Sequence, residues 1–551
     1  MEKIWLKSYP KGVPADINAD RFHSLVHVLE HSCETYADQP AFMNMGHAIT
    51  YAELDQLSQA FAAYLQTTLG LKRGARVMLM MPNCLQYPVA LFGILRAGLV
   101  VVNTNPLYTP DELIHQANDA GAETLIVLSN FAHTVQAALP KTRLRHIIVT
   151  DLGDLLGFPK KQIVNFVVKY VKRMVPTWKL PGAISFSRVI AEGCDISFSS
   201  NHVRGEDIAF LQYTGGTTGV AKGAVLTHRN MVANVEQSHA WLAGCIPLEN
   251  EIVVTALPLY HIFSLTVNCL TFMKIGGLNL LITNPRDIPA FIKEIAKSRF
   301  TVITGVNTLF NAMLHHPDIK LVDFSHLKFS VAGGMALQKV VSDAWHELTK
   351  KPIAEGYGLT EASPVVCINP LSMDHFNGAI GLPMSSTDVD IVDDEGDAVP
   401  LGESGELLVK GPQVMREYWK QPEETAKVLT TDGWLHTGDI VKMDEQGFVY
   451  LVDRKKDVVV VSGFKVFPNE VEQIIAQLPG VLEVGVVGVP SEESGEAVKA
   501  VIVKRDPALT KESVIAFCRE HLTGYKIPKI VEFVDELPKT NVGKILRREL
   551  R

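Results

Sequence analysis

The chain has 551 residues, a length that suits three or four domains or one large domain with appendages. Its 52 basic and 60 acidic residues leave a formal charge of −8, which lacks the domain-wide basic footprint of a nucleic-acid binder. Hydrophobic residues make up 47% and charged residues 20%, a balance that excludes long disorder. The seven scattered cysteines form no CxxC pair, which argues against a disulfide framework or a zinc ribbon and fits a reduced cytoplasmic compartment.

The amino-terminal stretch MEKIWLKSYPKG has no apolar core of a secretory signal. The most apolar stretches, 77–103 and 252–283, are broken by Pro82, Asn83 and Arg96 and by Pro258, His261 and Asn268. Neither reads as a membrane-spanning helix. From about residue 20 to 380 the chain alternates short apolar runs with helix-length segments. ARVMLMM, LVVVNTN, TLIVLS, RHIIVT, FTVITGV and KFSVAGG are of strand length, and QYPVALFGILRAG reads as a helix. This texture predicts parallel strands with crossover helices.

Residues 159–181, PKKQIVNFVVKYVKRMVPTWKLP, hold six basic residues and no acid. At about 100° per residue, Lys161, Gln162, Asn165, Lys169, Lys172 and Arg173 share one side. Ile163, Phe166, Val167, Tyr170, Val171 and Met174 share the other. The pattern fits an amphipathic helix on anionic lipid. It fits as well a surface helix packed on the core with its basic side in water.

Residues 213–224 read Tyr-Thr-Gly-Gly-Thr-Thr-Gly-Val-Ala-Lys-Gly-Ala. Glycines let backbone N–H groups converge, threonine hydroxyls add donors, and Lys222 adds a mobile cation. Together they make a cradle for phosphate oxygens. It is not a Walker loop, because Gly223 rather than Ser or Thr follows the lysine.

From about 385 to 452, short strands such as GELLVKGP and GFVYLVDR alternate with Asp-Glu-Gly and Gly-Pro turns, which predicts a β-rich subdomain. The charged stretch Asp453-Arg-Lys-Lys-Asp457 is a candidate linker. An α+β tail follows, with helices in PNEVEQIIAQL and KESVIAFCREHL and strands in VVVVSG, EVGVVGVP and AVKAVIVKR. The expected fold is therefore α/β. A large N-terminal body over 1–452 has α/β layers plus the β-rich subdomain, a hinge spans 453–457, and a small α+β C-terminal domain spans 458–551.

The 213–224 segment resembles the phosphate loop of the adenylate-forming enzymes: acyl- and aryl-CoA synthetases, luciferases and peptide-synthetase adenylation domains. Four further stretches match that family in its order. They are Pro258-Leu-Tyr-His-Ile-Phe263, Glu355-Gly-Tyr-Gly-Leu-Thr-Glu361, the pair Asp432-Gly-Trp-Leu-His-Thr-Gly-Asp439 and Asp453–Asp457, and Asn541-Val-Gly-Lys-Ile-Leu-Arg-Arg548. The resemblance runs from about 50 to 548 and is nearest to bacterial long-chain fatty acid–CoA ligases, which supply β-oxidation. Val441, Met443 and Glu445 depart from the usual Gly, Trp and Pro of the fatty-acyl signature.

The resemblance implies a two-step reaction. A carboxylate attacks the α-phosphate of ATP, giving acyl-adenylate and pyrophosphate. The CoA thiolate then attacks the acyl carbonyl and expels AMP. ATP and CoA are co-substrates and Mg²⁺ is the metal. The implied metal ligand is Glu361, helped by Thr214. Tyr213, Thr214, Gly215, Gly216, Thr217, Thr218, Gly219 and Lys222 would hold phosphates, and Thr360 would donate to the α-phosphate. Gly333 and Gly334 would border the adenine, as would the motif residues Glu355, Gly356, Tyr357 and Gly358, with Tyr357 stacking on it. Asp439 and Arg454 would contact the ribose. Lys544 is the implied catalytic lysine, and His261 would bound the acyl carbonyl.

The family also implies that the C-terminal domain is mobile and rotates about a hinge, here Lys456, between the half-reactions. In the second state Gly463 would let the pantetheine of CoA pass through its tunnel. The implied partners are a long-chain fatty acid, ATP and CoA, with no nucleic acid. A peripheral contact on the inner face of the membrane through 159–181 fits such a substrate. Oligomeric state stays open, a homodimer included. So do a medium-chain or aryl-CoA ligase, a fatty acyl-AMP ligase, and a non-catalytic binding protein of the same fold.

Overall fold

The computed structural model describes residues 2–198, 202–214, 221–540 and 543–551. Among these residues the strands form four sheets. The runs expected to be strands are strands: Arg76–Met80, Val100–Asn103, Thr124–Leu128, His146–Thr150, Val302–Gly305 and Phe329–Ala332. They divide between two sheets, which sequence periodicity alone does not foretell.

The first four lie side by side and parallel in an eight-stranded sheet. Strand Ile208–Thr214 continues it in parallel and returns antiparallel as Lys222–Thr227. The last two run parallel at the centre of a nine-stranded sheet, beside Ile252–Thr255 and Ile353–Gly358. The hairpin of Pro40–Asn44 and His47–Thr50 joins this second sheet through Leu278–Leu281, far away in sequence. Both faces of the parallel strands are covered, so they read as continuous apolar runs. Helix Gln86–Arg96, for example, is buried at every position.

Strands Asp388–Val392, Gly405–Lys410, Leu435–Met443 and Val449–Arg454 form an antiparallel meander in the order expected of a β-rich subdomain. A turn at 455–457 leads into the last sheet, built on the long hairpin Val481–Ser491 and Gly495–Lys504. Strand Ile530–Val534, not foreseen from the sequence, adds to it in parallel. Helices Pro468–Ile475 and Lys511–His521 cover one face, and their apolar residues join a separate small core. No described helix is long and apolar enough to cross a membrane.

The segment 159–181 is helical over Lys160–Phe166 and continues as a wider turn over Val167–Val171, where Lys172 N–H bonds the Val167 carbonyl. The helix packs on the body through Val164, but not by its apolar side. The polar-side residues Lys161 and Asn165 face the body, pairing with Asp154 and accepting from Gly153 N–H at 2.7 Å. Ile163, Phe166, Tyr170, Val171 and Met174 of the apolar side are more than half exposed, as is Phe158.

Candidate active site

Carboxyl ends of parallel strands from both large sheets, the antiparallel meander and the chain's last turn converge on one cavity of about 1470 Å³. Ligands of open α/β sheets bind at such strand ends. Tyr213 and Thr214 end one strand, and Lys222 starts its return directly opposite Thr214. Gly215, Gly216, Thr217, Thr218 and Gly219 lie outside the described residues. Gly333 and Gly334 follow strand Phe329–Ala332, while Glu355, Gly356, Tyr357 and Gly358 belong to the neighbouring strand. Glycine is required at 358, where a Cβ would stand 2.2 Å from the Pro364 carbonyl oxygen.

Of the described residues given site roles above, the cavity brings together all but Gly463. That glycine sits with Ser462 at a hairpin turn where both residues have positive φ, away from the cavity, beside Phe464 stacked on Tyr525. Lys456 lies on the turn between the meander and the last sheet and lines the cavity.

Strand register places Asp439 opposite Arg454. The buried Asp439 carboxylate accepts from Tyr357 Oη at 2.6 Å and lies 3.3 Å from Arg454 Nε. Each carboxylate oxygen has a second acceptor site, so capacity remains for outside hydroxyls. Burial first, then the adjacent Asp439, pushes the Tyr357 phenol well up, keeping it a neutral donor.

Glu361 accepts from Tyr418 Oη at 2.6 Å. Lys222 pairs with Glu424 and lies 5.2 Å from the Tyr418 ring centroid. Tyr418 and Glu424 were not foreseen: Tyr418 lies 57 residues beyond Glu361 and Glu424 lies 202 residues beyond Lys222, with no motif to single them out. Glu355 is buried, and burial pushes its carboxyl up to about 8, opposed by a 3.1 Å bond from Leu337 N–H.

The last turn inserts Lys544 into this cavity. Thr540 N–H donates to the Lys544 carbonyl at 2.7 Å, and Thr308 Oγ1 bonds the Gly543 carbonyl at 3.0 Å. Gly543 has φ +84°, and a Cβ there would lie 2.9 Å from Thr308 Oγ1, so both backbone and space call for glycine. Burial first, then the Arg454 charge, lowers the Lys544 ammonium to about 7. His261 is pushed to about 4 by burial and then by Lys544. It is therefore neutral at pH 7, and its Nδ1 accepts from Phe263 N–H at 3.4 Å.

The pattern for "AMP-binding enzyme" matches residues 29–419, and that for "AMP-binding enzyme C-terminal domain" matches residues 470–544. The chain belongs to the AMP-binding enzyme family. A long-chain-fatty-acid–CoA ligase of Escherichia coli is 59% identical over 551 residues, covering 100% of this chain and 98% of that protein. The Bacillus subtilis protein of the same name is 38% identical over 552 residues, with the same coverage. Among solved structures, an anthranilate CoA ligase in complex with anthranoyl-AMP superposes with a TM-score of 0.86 at 26% identity, covering 97% of this chain and 98% of that one. A benzoate CoA ligase from Burkholderia xenovorans gives 0.83 at 27% identity, covering 96% and 100%. In this AMP-binding enzyme the cavity lining is chemically mixed: besides the charged Asp439, Arg454, Glu361 and Lys544 it includes the apolar Leu242, Phe272, Phe329, Val331, Leu371 and Met384.

Proposed function

We propose that the protein is an AMP-forming ligase that joins long-chain fatty acids to CoA through an acyl-adenylate. The observation that carries this reading is the cavity itself, whose lining combines the charged Asp439, Arg454, Glu361 and Lys544 with the apolar Leu242, Phe272, Phe329, Val331, Leu371 and Met384, read here as the acyl arm. The 59% full-length identity to a ligase of that name supports the long-chain class. A release assay for AMP across C6 to C18 acids with CoA tests it. Activity should be highest on long acids and should need CoA. Activity on an aromatic acid alone, or adenylation with no CoA-dependent turnover, would replace this reading with an aryl-CoA ligase or an acyl-AMP ligase.

In this reading Asp439 and Arg454 hold the ribose, Tyr357 packs on the adenine while orienting Asp439, and Gly333, Gly334 and Gly356 let the nucleotide approach the backbone. Thr214, Thr360, Lys222 and the loop 215–219 hold phosphates. One cavity-facing carboxylate, Glu361, fits a Mg²⁺ that takes its other ligands from phosphates and water. Thr214 is its helper, and the ion when bound neutralises phosphate charge. Among the described residues no cluster of three metal-binding side chains competes for that role.

Two anions must meet in the first half-reaction, so fixed cations do most of the work. Lys544 places its ammonium between the acid and the α-phosphate, and the neutral His261 bounds the carbonyl without adding charge. Lys456 is the hinge between a body of 1–452 and a cap of 458–551. Rotation there would withdraw Lys544 and bring Gly463 to the site for CoA.

The second part of the proposal is a peripheral membrane contact through 158–174. Phe158, Ile163, Phe166, Tyr170, Val171 and Met174 project outward, with exposed Lys169, Lys172 and Arg173 beside them. Apolar side chains flanked by cations suit an anionic bilayer, where a long-chain acid partitions as well. Co-sedimentation with phosphatidylglycerol-containing vesicles should fall at least tenfold for the triple variant Ile163→Asp, Phe166→Asp, Tyr170→Asp. Equal binding by that variant and wild type would sink the contact.

A further inference from the structure

Residues 4–20 precede the matched family region and lie as a strap across the body. Trp5 is buried, and a Cβ on Gly447 would stand 2.4 Å from its Cα. Ser8 Oγ donates to the Gln446 carbonyl at 2.6 Å, and Tyr9 Oη donates to the Pro383 carbonyl at 2.5 Å. Further on, Gly12 meets Gly244 so closely that a Cβ on Gly12 would lie 2.8 Å from the Gly244 Cα. Ser385 Oγ and Ser386 N–H then bond the Pro14 and Ala15 carbonyls. The strap therefore links the end of helix His228–Cys245 to the meander side of the molecule.

That helix is one wall of the cavity. It starts after strand Lys222–Thr227, at the end away from the phosphate loop, since Lys222 pairs with Thr214 and Thr227 with Ile208, and on its return it contributes Ser238, Trp241 and Leu242 to the lining. Trp241 shares that lining with the apolar Leu242, Leu371 and Met384, and none of residues 4–20, all of them described, reaches the cavity, so on this side it ends at Trp241. Trp241 is held by a 3.3 Å bond from Nε1 to the Asn369 carbonyl. Behind it the Tyr9 ring packs edge-on, with centroids 5.2 Å apart at 83°.

We infer that the strap, through Tyr9 seated against Trp241, is the end stop of the acyl arm and sets the longest acid the enzyme activates. This rests on the fatty-acid reading above. Two rigid rings, each held by a hydrogen bond and backed by a strap with no room at Gly12, form a floor that does not yield to an extra methylene. A flexible floor would instead give a gradual decline with length.

The test is kcat/KM for AMP release over C8 to C22 acids with the full-length protein. Wild type should lose about tenfold or more within two carbons beyond its longest good substrate, the scale on which apolar pockets discriminate methylenes. Tyr9→Ala and Trp241→Ala should move that fall at least two carbons longer. Leu242→Trp, which fills the arm from its wall, should move it shorter, so the test does not depend on a cavity-forming variant folding. A wild-type profile without a steep fall overturns the stop. So does an unmoved fall in Tyr9→Ala together with Leu242→Trp when both melt within a few degrees of wild type. No activity on any fatty acid would instead sink the ligase reading, and the stop with it.

Discussion

The Arg547 guanidinium lies 3.0 Å from the Asp453 carboxylate, which is fully buried at the end of the meander. The same guanidinium reaches Glu472 at 2.9 Å on helix Pro468–Ile475 and Asn469 at 2.5 Å. Asn469 N–H donates back to Asp453 at 2.7 Å. One side chain three residues after Lys544 thus ties the lysine turn to the strand before the turn at 455–457 and to the first helix after it.

Removing that tie leaves two buried carboxylates without their cation. Burial alone already pushes both Asp453 and Glu472 up, with Arg547 opposing. Arg547→Gln should therefore destabilise the C-terminal part on the order of 3–5 kcal/mol and lower adenylation at least tenfold. Thermal unfolding together with pyrophosphate exchange checks this. Wild-type behaviour in both would show that the lysine turn docks without Arg547.

Lys544→Ala should cut pyrophosphate exchange by roughly 10²–10³, the usual cost of losing one charge-stabilising donor. CoA transfer from supplied acyl-adenylate should change much less. Equal loss in both half-reactions would contradict a lysine that serves the first alone.

The pH dependence follows from the lowered Lys544 ammonium. It is charged below about 7 and neutral above. Free-enzyme kcat/KM for adenylation should accordingly fall as pH rises through about 7, while His261, at about 4, stays neutral throughout. Lys544→Arg, weaker but always charged, should lose that limb. The same shift makes the folded state shed a proton that an unfolded lysine keeps up to 10.5. Its contribution to stability therefore rises with pH between about 7 and 10.5.

Tyr357→Phe removes the 2.6 Å bond to Asp439 but keeps the ring. A lost hydrogen bond of about 1 kcal/mol should raise the KM for ATP about fivefold, with little change for the fatty acid. Steady-state kinetics with each substrate varied separates the two.

Gly543→Ala places a side chain at φ +84° against Thr308. The turn that carries Lys544 should undock, lowering adenylation at least tenfold with an unchanged melting temperature for the body. Unchanged adenylation would show that the turn tolerates the strain.

Much of this molecule is legible without coordinates. The Val- and Ile-rich runs from ARVMLMM to KFSVAGG become strands because their residues suit a sheet buried on both faces. The loop from Tyr213 to Lys222 announces itself by composition, because a phosphate cradle needs particular side chains, whereas the roles of Glu361, Asp439, Arg454 and Lys544 come from the resemblance to the adenylate-forming enzymes. What local sequence does not contain is pairing between distant segments. That Pro40–Asn44 belongs beside Leu278–Leu281, that Tyr418 donates to Glu361, and that Arg547 meets Asp453 all depend on packing. The amphipathic segment shows the same division. Periodicity alone sorts its residues into two sides, and only the body, by binding Lys161 and Asn165, decides that the apolar side faces out. Tertiary structure likewise decides the end of the acyl arm. Nothing local to Tyr9 or Trp241 marks either as a stop until the strap brings a ring from the start of the chain against a helix more than two hundred residues later.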